Sequence, residues 1–307
     1  MDLYTKFLLL QGEHIDKNGL PPVSERLLMR FVAYCDEHKK LRHSTIKLYL
    51  CGIGFYYLKH GGFNPLTSSG KLLECLSSIL NGLKKKQGSI VKRQRLPITM
   101  PILSKMCSLL RMYVFGSFNS IMLEAACTIA FFGFLRCGEF TVLNQFDQEC
   151  HLCVSDFQIT DDCIFVTLKR SKTDPFRQGI TIPLFKTGYS ICPVLSILKY
   201  NQIRLSLCLP RNEAFFICQD GKPLTRHFFI SHVKILLDKL GLSSQSYNGH
   251  SFRIGAATSA HQARLEDHLI QTLGRWSSDC YTRYIHTSPD VLKTAQKQLV
   301  ETDSSLV

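Results

Sequence analysis

Apolar residues recur at helical spacing through the first 83 residues of the chain. Three stretches place an apolar residue every three or four positions, which is the period of one helix face. They lie at residues 23–35, 44–58 and 72–83. Ser24 can cap the first stretch, and Gly61-Gly62 can end the second. The pattern predicts a small all-helical domain.

The pattern changes after residue 97. A largely apolar helix is predicted from Ser120 to Phe134. Short runs of β-branched and aromatic residues with turn residues between them predict strands at 154–159, 163–168, 179–184 and 215–217. A further helix is predicted to start at Thr99-Met100-Pro101, and others lie near residues 192–207, 225–240, 250–263, 267–273 and 290–300. The second part of the chain is therefore predicted to be mixed α+β with a small antiparallel sheet.

Composition narrows the class of protein. With 37 Lys and Arg against 24 Asp and Glu, the 307-residue chain carries a net charge of +13, so nucleic acid is the expected partner. No apolar run approaches the roughly 20 residues of a spanning helix, which argues against a membrane. Thirteen cysteines without a secretory segment indicate reduced thiols in the cytosol or nucleus.

A basic segment separates the two parts of the chain. Residues 84–97 hold six basic residues and no acidic one: Lys84, Lys85, Lys86, Lys92, Arg93 and Arg95. We expect a helical domain at 1–86, an interdomain linker at 87–97, a second domain at 98–300 and a disordered tail at 301–307. The linker is expected to lie along DNA phosphates. A localisation signal and a plain solvated linker are the alternatives.

Other basic side chains are candidate DNA contacts. Arg42 and Lys47 lie on polar faces of the helical domain. Lys169 and Arg170 lie in the predicted hairpin tip 169–175. A solvated surface explains these positions about as well as contact with DNA.

The run from Gly249 to Ala257 carries the strongest chemical signal. His250 and Arg253 are three residues apart and therefore share one helix face. Gly249 suits a helix start, where free backbone N–H groups favour an anion. This reads as a phosphate site with a proton-transfer group, and a downstream tyrosine offers a nucleophile. The alternative is a small-residue helix packed in a core.

Arg136 follows the long apolar helix. A charge at the end of a buried helix is costly unless it is paired. Glu139, three residues on, is one partner, and a bound phosphate is another.

Together these pieces resemble the tyrosine recombinases, or phage integrase family, over essentially the whole chain. The family's Arg-x-x-Glu-[Leu/Phe]-x-x-Leu box stands here as Arg136, Glu139, Phe140 and Leu143. The run after Gly249 looks closest to Cre-type members. The remaining matches, in order along the chain, are a hairpin lysine, a tryptophan and a tyrosine nucleophile: Lys172, Trp276 and Tyr284.

The resemblance implies a SAM-like, all-α core-binding domain followed by a mixed α+β catalytic domain. It implies that Tyr284 attacks a DNA phosphodiester and forms a covalent 3′-phosphotyrosine, without a metal, ATP or another cofactor. Arg136 and Arg253 would hold the phosphate oxygens, and Lys172 would protonate the leaving 5′-oxygen. The supporting roles are a proton-transfer group, an N–H donor and an orienting carboxylate: His250, Trp276 and Glu139.

The expected partners also follow from the resemblance. They are double-stranded DNA and further copies of the chain, with a monomer or dimer free in solution and a homotetramer on DNA. The final helix 290–300 would pack into a neighbouring protomer or onto its own domain. The cysteines and Trp276 favour a eukaryotic mobile element of the DIRS or Crypton type, which would place the protein in the nucleus; otherwise it is cytoplasmic.

Several alternatives remain open. Lys169 could replace Lys172, Tyr281 could replace Tyr284, and Trp276 could be a core residue only. Cys150-His151-x-Cys153 has part of a zinc-ligand spacing, but no second Cys/His pair follows. The function could also be type IB topoisomerase-like relaxation, or DNA binding by a domesticated protein that no longer cleaves.

Overall fold

The computed structural model describes residues 1–15, 19–88, 95–170, 178–207 and 213–285. The chain divides into two compact units, Met1–Lys92 and Arg93–Val307. Within the described residues no helix has the length and apolar character needed to cross a membrane.

The first unit is helical around its own apolar core. Its helices are α1 (Asp2–Leu10), α2 (Glu25–Glu37), α3 (His43–Gly61) and α4 (Glu74–Gly88), and a small hairpin pairs β1 (Thr67–Ser68) with β2 (Lys71–Leu72). Ser24 caps α2, since its hydroxyl accepts the Leu27 N–H at 3.2 Å. Gly62 ends α3 in the left-handed region, at φ 71°. The hairpin was not predicted, and its sequence has no strand-length apolar run.

The basic segment begins inside a helix, which extends two residues into the predicted linker 87–97. Because α4 continues to Gly88, Lys84, Lys85 and Lys86 belong to its last turns. Lys86 lies 2.8 Å from the Asp36 carboxylate, and Gln87 accepts the His43 N–H at 2.7 Å. These contacts tie the end of α4 to α2 and α3. The other predicted DNA contacts of this region are split between exposed positions (Arg42, Lys47, Arg95) and positions outside the described residues (Lys92, Arg93).

The second unit is mixed α+β. Its helices are α5 (Met100–Arg111), α6 (Ser117–Phe132), α7 (Cys137–Phe140), α8 (Pro193–Leu205), α9 (Arg226–Lys239), α10 (Ser251–Gln262) and α11 (Asp267–Gly274). Its strands are β3 (Phe157–Ile159), β4 (Cys163–Leu168) and β5 (Ile180–Phe185). Three 3₁₀ turns span Val154–Asp156, Ser244–Ser246 and Asp279–Tyr284.

The strands form the predicted small antiparallel sheet, in the order β3-β4-β5. Val166 of β4 lies between Phe157 and Ile182, and Leu168 faces Ile180 at the loop end of the β4–β5 hairpin. The hairpin tip, with Lys172, lies outside the described residues.

Two predicted strands are corrected. Residues 215–217 form no strand and make only an isolated bridge, from Ile217 to Pro223. Side chains hold part of their main chain: the Tyr200 hydroxyl accepts the Ile217 N–H, and Arg204 donates to the Phe215 carbonyl, both at 2.9 Å. Bonds to the main chain of Leu152 and Leu224 hold the rest. Residues 154–156 form a 3₁₀ turn, so β3 is only three residues long.

Helix α6 is buried along most of its length, with α5, α8 and α10 packed on it. The small residues of α10 allow close approach. A Cβ on Gly255 would lie 1.8 Å from the Ile98 carbonyl oxygen, so only glycine fits. The Ile98 N–H donates to the Ser251 carbonyl at 2.9 Å. The segment entering α5 therefore fixes the first turn of α10, where the candidate site begins.

Candidate active site

Arg253 lies at the centre of the candidate site and is completely buried. Its Nη1 donates to the Phe134 carbonyl, and its Nη2 donates to the Gly274 carbonyl. Its Nε has no hydrogen-bond partner among the described residues. Burial, with the charges of Arg136 and Arg275, lowers the pKa of Arg253 to about 10. The guanidinium remains a cation at neutral pH, in surroundings that favour an added anion.

Arg136 is brought to the same region by the turn after α6. The sequence placed it at the end of that helix; instead it precedes the separate helix α7 as its N-cap. Glu139 accepts both the Arg136 main-chain N–H and its Nη1, each at 2.9 Å. The Arg136 side chain is 22% exposed, whereas that of Glu139 is 5% exposed. Glu139 therefore fixes the arginine from within and leaves part of it accessible.

Gly249 allows the Arg136 turn and the His250 turn to meet. A Cβ at Gly249 would lie 2.6 Å from the Cys137 Cβ, closer than side chains approach. His250 is the N-cap of α10, and its N–H donates to Asn248 Oδ1 at 2.9 Å. The glycine thus has a packing role in addition to the helix-start role predicted from the sequence.

The two downstream tyrosines differ in their environments. The Tyr284 ring is partly exposed, 5.2 Å from the His250 ring and stacked on Trp276 at 5.5 Å. Tyr281 is buried and packs on Trp276 at 6.0 Å. Burial and a hydrogen bond to Asp267 raise the pKa of Tyr281. The structure therefore brings Tyr284 to His250 as a partly exposed phenol.

Trp276 connects the tyrosine to the arginine. Its ring lies 4.3 Å from the Arg253 guanidinium carbon, a cation–π distance, and its other neighbours include Tyr284. The indole is thus part of the candidate site as well as of the core.

Sequence reasoning missed Arg275. Its Nη1 donates to the Gly133 carbonyl at 2.8 Å, and its Nη2 donates to Glu139 Oε2 at 3.1 Å. The sole sequence signal was a charged residue between Gly274 and Trp276. Its contacts come from residues more than 130 positions away, which periodicity does not reveal.

Comparisons with solved structures address the fold. XerH site-specific recombinase bound to its difH substrate has a TM-score of 0.63 and 18% identity, covering 96% of this chain and 75% of that one. Tn1549 transposon integrase in complex with transposon right-end DNA has a TM-score of 0.60 and 14% identity, and the match covers 97% of this chain and 98% of that one. A lambda integrase dimer bound to a core site has a TM-score of 0.53 and 16% identity, and the match covers 92% of this chain and 76% of that one.

The chain has the tyrosine-recombinase fold. At identities of 14–18% this likeness is one of fold. No protein-family model matches the sequence, and no curated protein matches it either.

The β4–β5 hairpin carries two candidate lysines, Lys169 and Lys172. Lys172 lies outside the described residues, whereas Lys169 directly follows β4, with its Nζ 2.9 Å from Asp156 Oδ2 and 3.2 Å from Cys153 Sγ. Burial opposes the ammonium, but the bonds to Asp156 and Cys153 raise the pKa of Lys169. Lys169 is thus engaged in a structural ion pair, while the neighbouring Arg170 is exposed. The zinc-like fragment lies beside this lysine, and the described residues contain no group of three or more metal ligands.

Proposed function

We propose that this protein is a DNA strand-exchange enzyme, a site-specific recombinase or integrase. It cuts and rejoins double-stranded DNA through a covalent 3′-phosphotyrosine formed by Tyr284. One observation carries the proposal: the partly exposed Tyr284 ring lies against His250 and Trp276, and Trp276 in turn covers Arg253. A phenol, a proton-transfer group and a buried guanidinium are thus contiguous.

The reaction follows from these groups. The Tyr284 oxygen attacks the scissile phosphorus while His250 takes its proton. The P–O bond to the 5′-oxygen breaks, and Lys172, placed by its match to the family lysine, supplies the proton to that oxygen. The phosphotyrosine conserves the bond energy, so a DNA 5′-hydroxyl can reverse the step without ATP. The charges of Arg136 and Arg253 stabilise the developing negative charge without a metal ion.

Electrostatics support an anionic substrate. Arg136 and Arg275 both bond the carboxylate of Glu139, and Arg253 is the third guanidinium whose charge this cluster affects. Each buried cation raises the cost of the others, which the lowered pKa of Arg253 reflects. A DNA phosphate supplies the missing negative charge, so binding relieves this repulsion.

Access to Arg253 requires a rearrangement. Its guanidinium is completely buried, and Trp276 lies over it. A phosphate therefore reaches Arg253 only when the Trp276–Tyr284 pair moves aside. The same movement frees the Tyr284 phenol to align with the scissile bond.

DNA contacts outside the site are assigned to exposed basic side chains. Lys84, Lys85, Arg95, Arg42, Lys47 and Arg170 are exposed. Lys92 and Arg93 remain candidates from the sequence. Lys86 and Lys169 are already ion-paired, so their contribution is weaker. We propose assembly as a homotetramer on DNA, in the nucleus if the source is eukaryotic and in the cytoplasm otherwise.

The proposal is tested by capturing the covalent intermediate. Nicked duplexes with randomised sequence release a short strand on cleavage, which traps the protein on DNA. Wild type and Tyr281→Phe should form adducts that survive denaturing gels, and Tyr284→Phe should form none while still binding DNA. An adduct that persists in Tyr284→Phe overturns the assignment.

The products separate the other functions. Joined strands from two duplexes indicate recombination. Relaxation of a supercoiled plasmid without exchange would indicate a type IB topoisomerase-like enzyme. Binding without an adduct would indicate a protein that no longer cleaves.

A further inference from the structure

Arg275 occupies a backbone conformation that favours glycine. It ends α11 in the left-handed region, at φ 55° and ψ 47°. A side chain costs energy there, because its Cβ crowds the following carbonyl oxygen. A large charged residue at this position is unfavourable for the local backbone, so its advantage must come from side-chain contacts.

Those contacts are specific and almost fully buried. The Arg275 side chain is 10% exposed. It donates to the Gly133 carbonyl at 2.8 Å and to Glu139 Oε2 at 3.1 Å, with a longer contact of 3.4 Å to the Phe134 carbonyl. The planar fork of arginine suits such a divided set of acceptors. Arg275 therefore holds both the turn before Arg136 and the carboxylate after it.

Glu139 transmits this constraint to Arg136. Its Oε1 accepts from Arg136 Nη1, while its Oε2 accepts the Arg136 main-chain N–H and Arg275 Nη2. The two arginines thus hold one buried carboxylate from two directions. Without Arg275, the Oε2 of Glu139 loses its charged partner, and the carboxylate is free to rotate. The orientation of the Arg136 guanidinium would then no longer be fixed.

We propose that Arg275 is a positioning residue that holds Glu139 and, through it, aims Arg136 at the DNA phosphate. The proposal rests on the proposed function for its effect on cleavage, but the positioning itself is measurable without DNA. It adds a residue absent from the set matched by sequence.

The first test uses a matched pair of arginines. Arg264 also has positive φ, 59°, just after a helix, but its side chain is exposed. Arg264→Gly and Arg275→Gly remove the same charge and relax the same kind of backbone. Single-turnover adduct formation at saturating DNA should slow about tenfold or more in Arg275→Gly and stay near wild type in Arg264→Gly. Equal rates in the two variants overturn the proposal.

A double-mutant cycle with Glu139→Gln tests whether Arg275 acts on Arg136 through Glu139. If Arg275 acts through Glu139, the double variant Glu139→Gln/Arg275→Gly should be no slower than the slower single variant. Multiplied rate losses would show independent action and contradict positioning through Glu139.

The third test needs no cleavage. In ¹⁵N spectra of the DNA-free protein, a guanidinium fixed by Glu139 should give separate Nη signals for Arg136. These signals should merge in Arg275→Gly and stay separate in Arg264→Gly. If wild type forms no adduct but the Arg136 signals merge only in Arg275→Gly, the proposed function is wrong and the positioning role is supported. If adducts form and the Arg136 signals are unchanged in Arg275→Gly, the positioning role is wrong and the proposed function is supported.

Discussion

Two fully buried arginines in the second unit have opposite surroundings. Arg204 donates to the Ala214 and Phe215 carbonyls at 2.7 and 2.9 Å, and Arg253 likewise donates to two main-chain carbonyls. Burial lowers the pKa of both, but Tyr200 and Glu213 act to raise that of Arg204. The neighbouring cations Arg136 and Arg275 instead lower the pKa of Arg253 further.

The difference supports the two roles proposed here, a structural one for Arg204 and phosphate binding for Arg253. Arg204 supplies hydrogen bonds to the carbonyls of residues 214 and 215, and nearby groups favour its charge. Arg253 is buried among other cations with one carboxylate nearby, an arrangement that is costly until an anion arrives. Burial alone therefore does not distinguish the two roles, whereas the sign of the surrounding charge does.

The largest expected effect is on catalysis at Arg253. Arg253→Lys keeps the charge but loses the fork that contacts two carbonyls and that, in the proposed reaction, binds the phosphate. Adduct formation should fall by about 10²–10³, the usual loss for one preorganised donor. Single-turnover rates check this, and a loss below tenfold would mean that Arg253 is structural in the way Arg204 is.

The next effect is on stability at Arg204. Arg204→Met removes the donor to the Ala214 carbonyl and one of two donors to the Phe215 carbonyl, which the Tyr200 hydroxyl also binds. The free energy of unfolding should fall by about 1–3 kcal/mol. Denaturant unfolding measures the loss. The adduct rate per folded molecule should match wild type; a selective loss of rate would give Arg204 a role in the site.

A smaller effect is expected from Trp276, the sole tryptophan of the chain. If phosphate entry moves the indole off Arg253, its fluorescence should change on addition of DNA. Tyr284→Phe, which keeps the ring contact, should show the same change without an adduct. Unchanged emission at saturating DNA would argue that Arg253 stays covered.

The smallest expected effect is that of chelators. The proposed reaction uses guanidinium groups in place of a metal ion, so EDTA should leave the adduct rate unchanged. A loss that added Mg²⁺ restores would show that the cationic cluster is insufficient.

Local signals predicted much of the fold. The cap at Ser24, the end of α3 at Gly62 and the antiparallel β4–β5 hairpin depend on neighbours in sequence or on simple periodicity. The tyrosine-recombinase fold implied by the resemblance is confirmed by the structural comparisons.

Long-range contacts explain what the sequence did not reveal. Residues 215–217 look like a strand, but the side chains of Tyr200 and Arg204 bind part of their main chain in place of a neighbouring strand. Arg275 reaches the site only because α11 ends in a left-handed residue beside α7. The site residues were predicted from the resemblance to a family. No periodicity in the sequence predicts that the Tyr284 and His250 rings lie 5.2 Å apart.

The most direct measurement locates the covalent bond. An adduct trapped on nicked DNA is digested with nuclease and trypsin, and the nucleotide-bearing peptide is sequenced by mass spectrometry. Trypsin cleaves after Arg283, between the two candidate tyrosines. The nucleotide should be on the phenol of Tyr284; its presence on Tyr281 or any other residue would contradict the account.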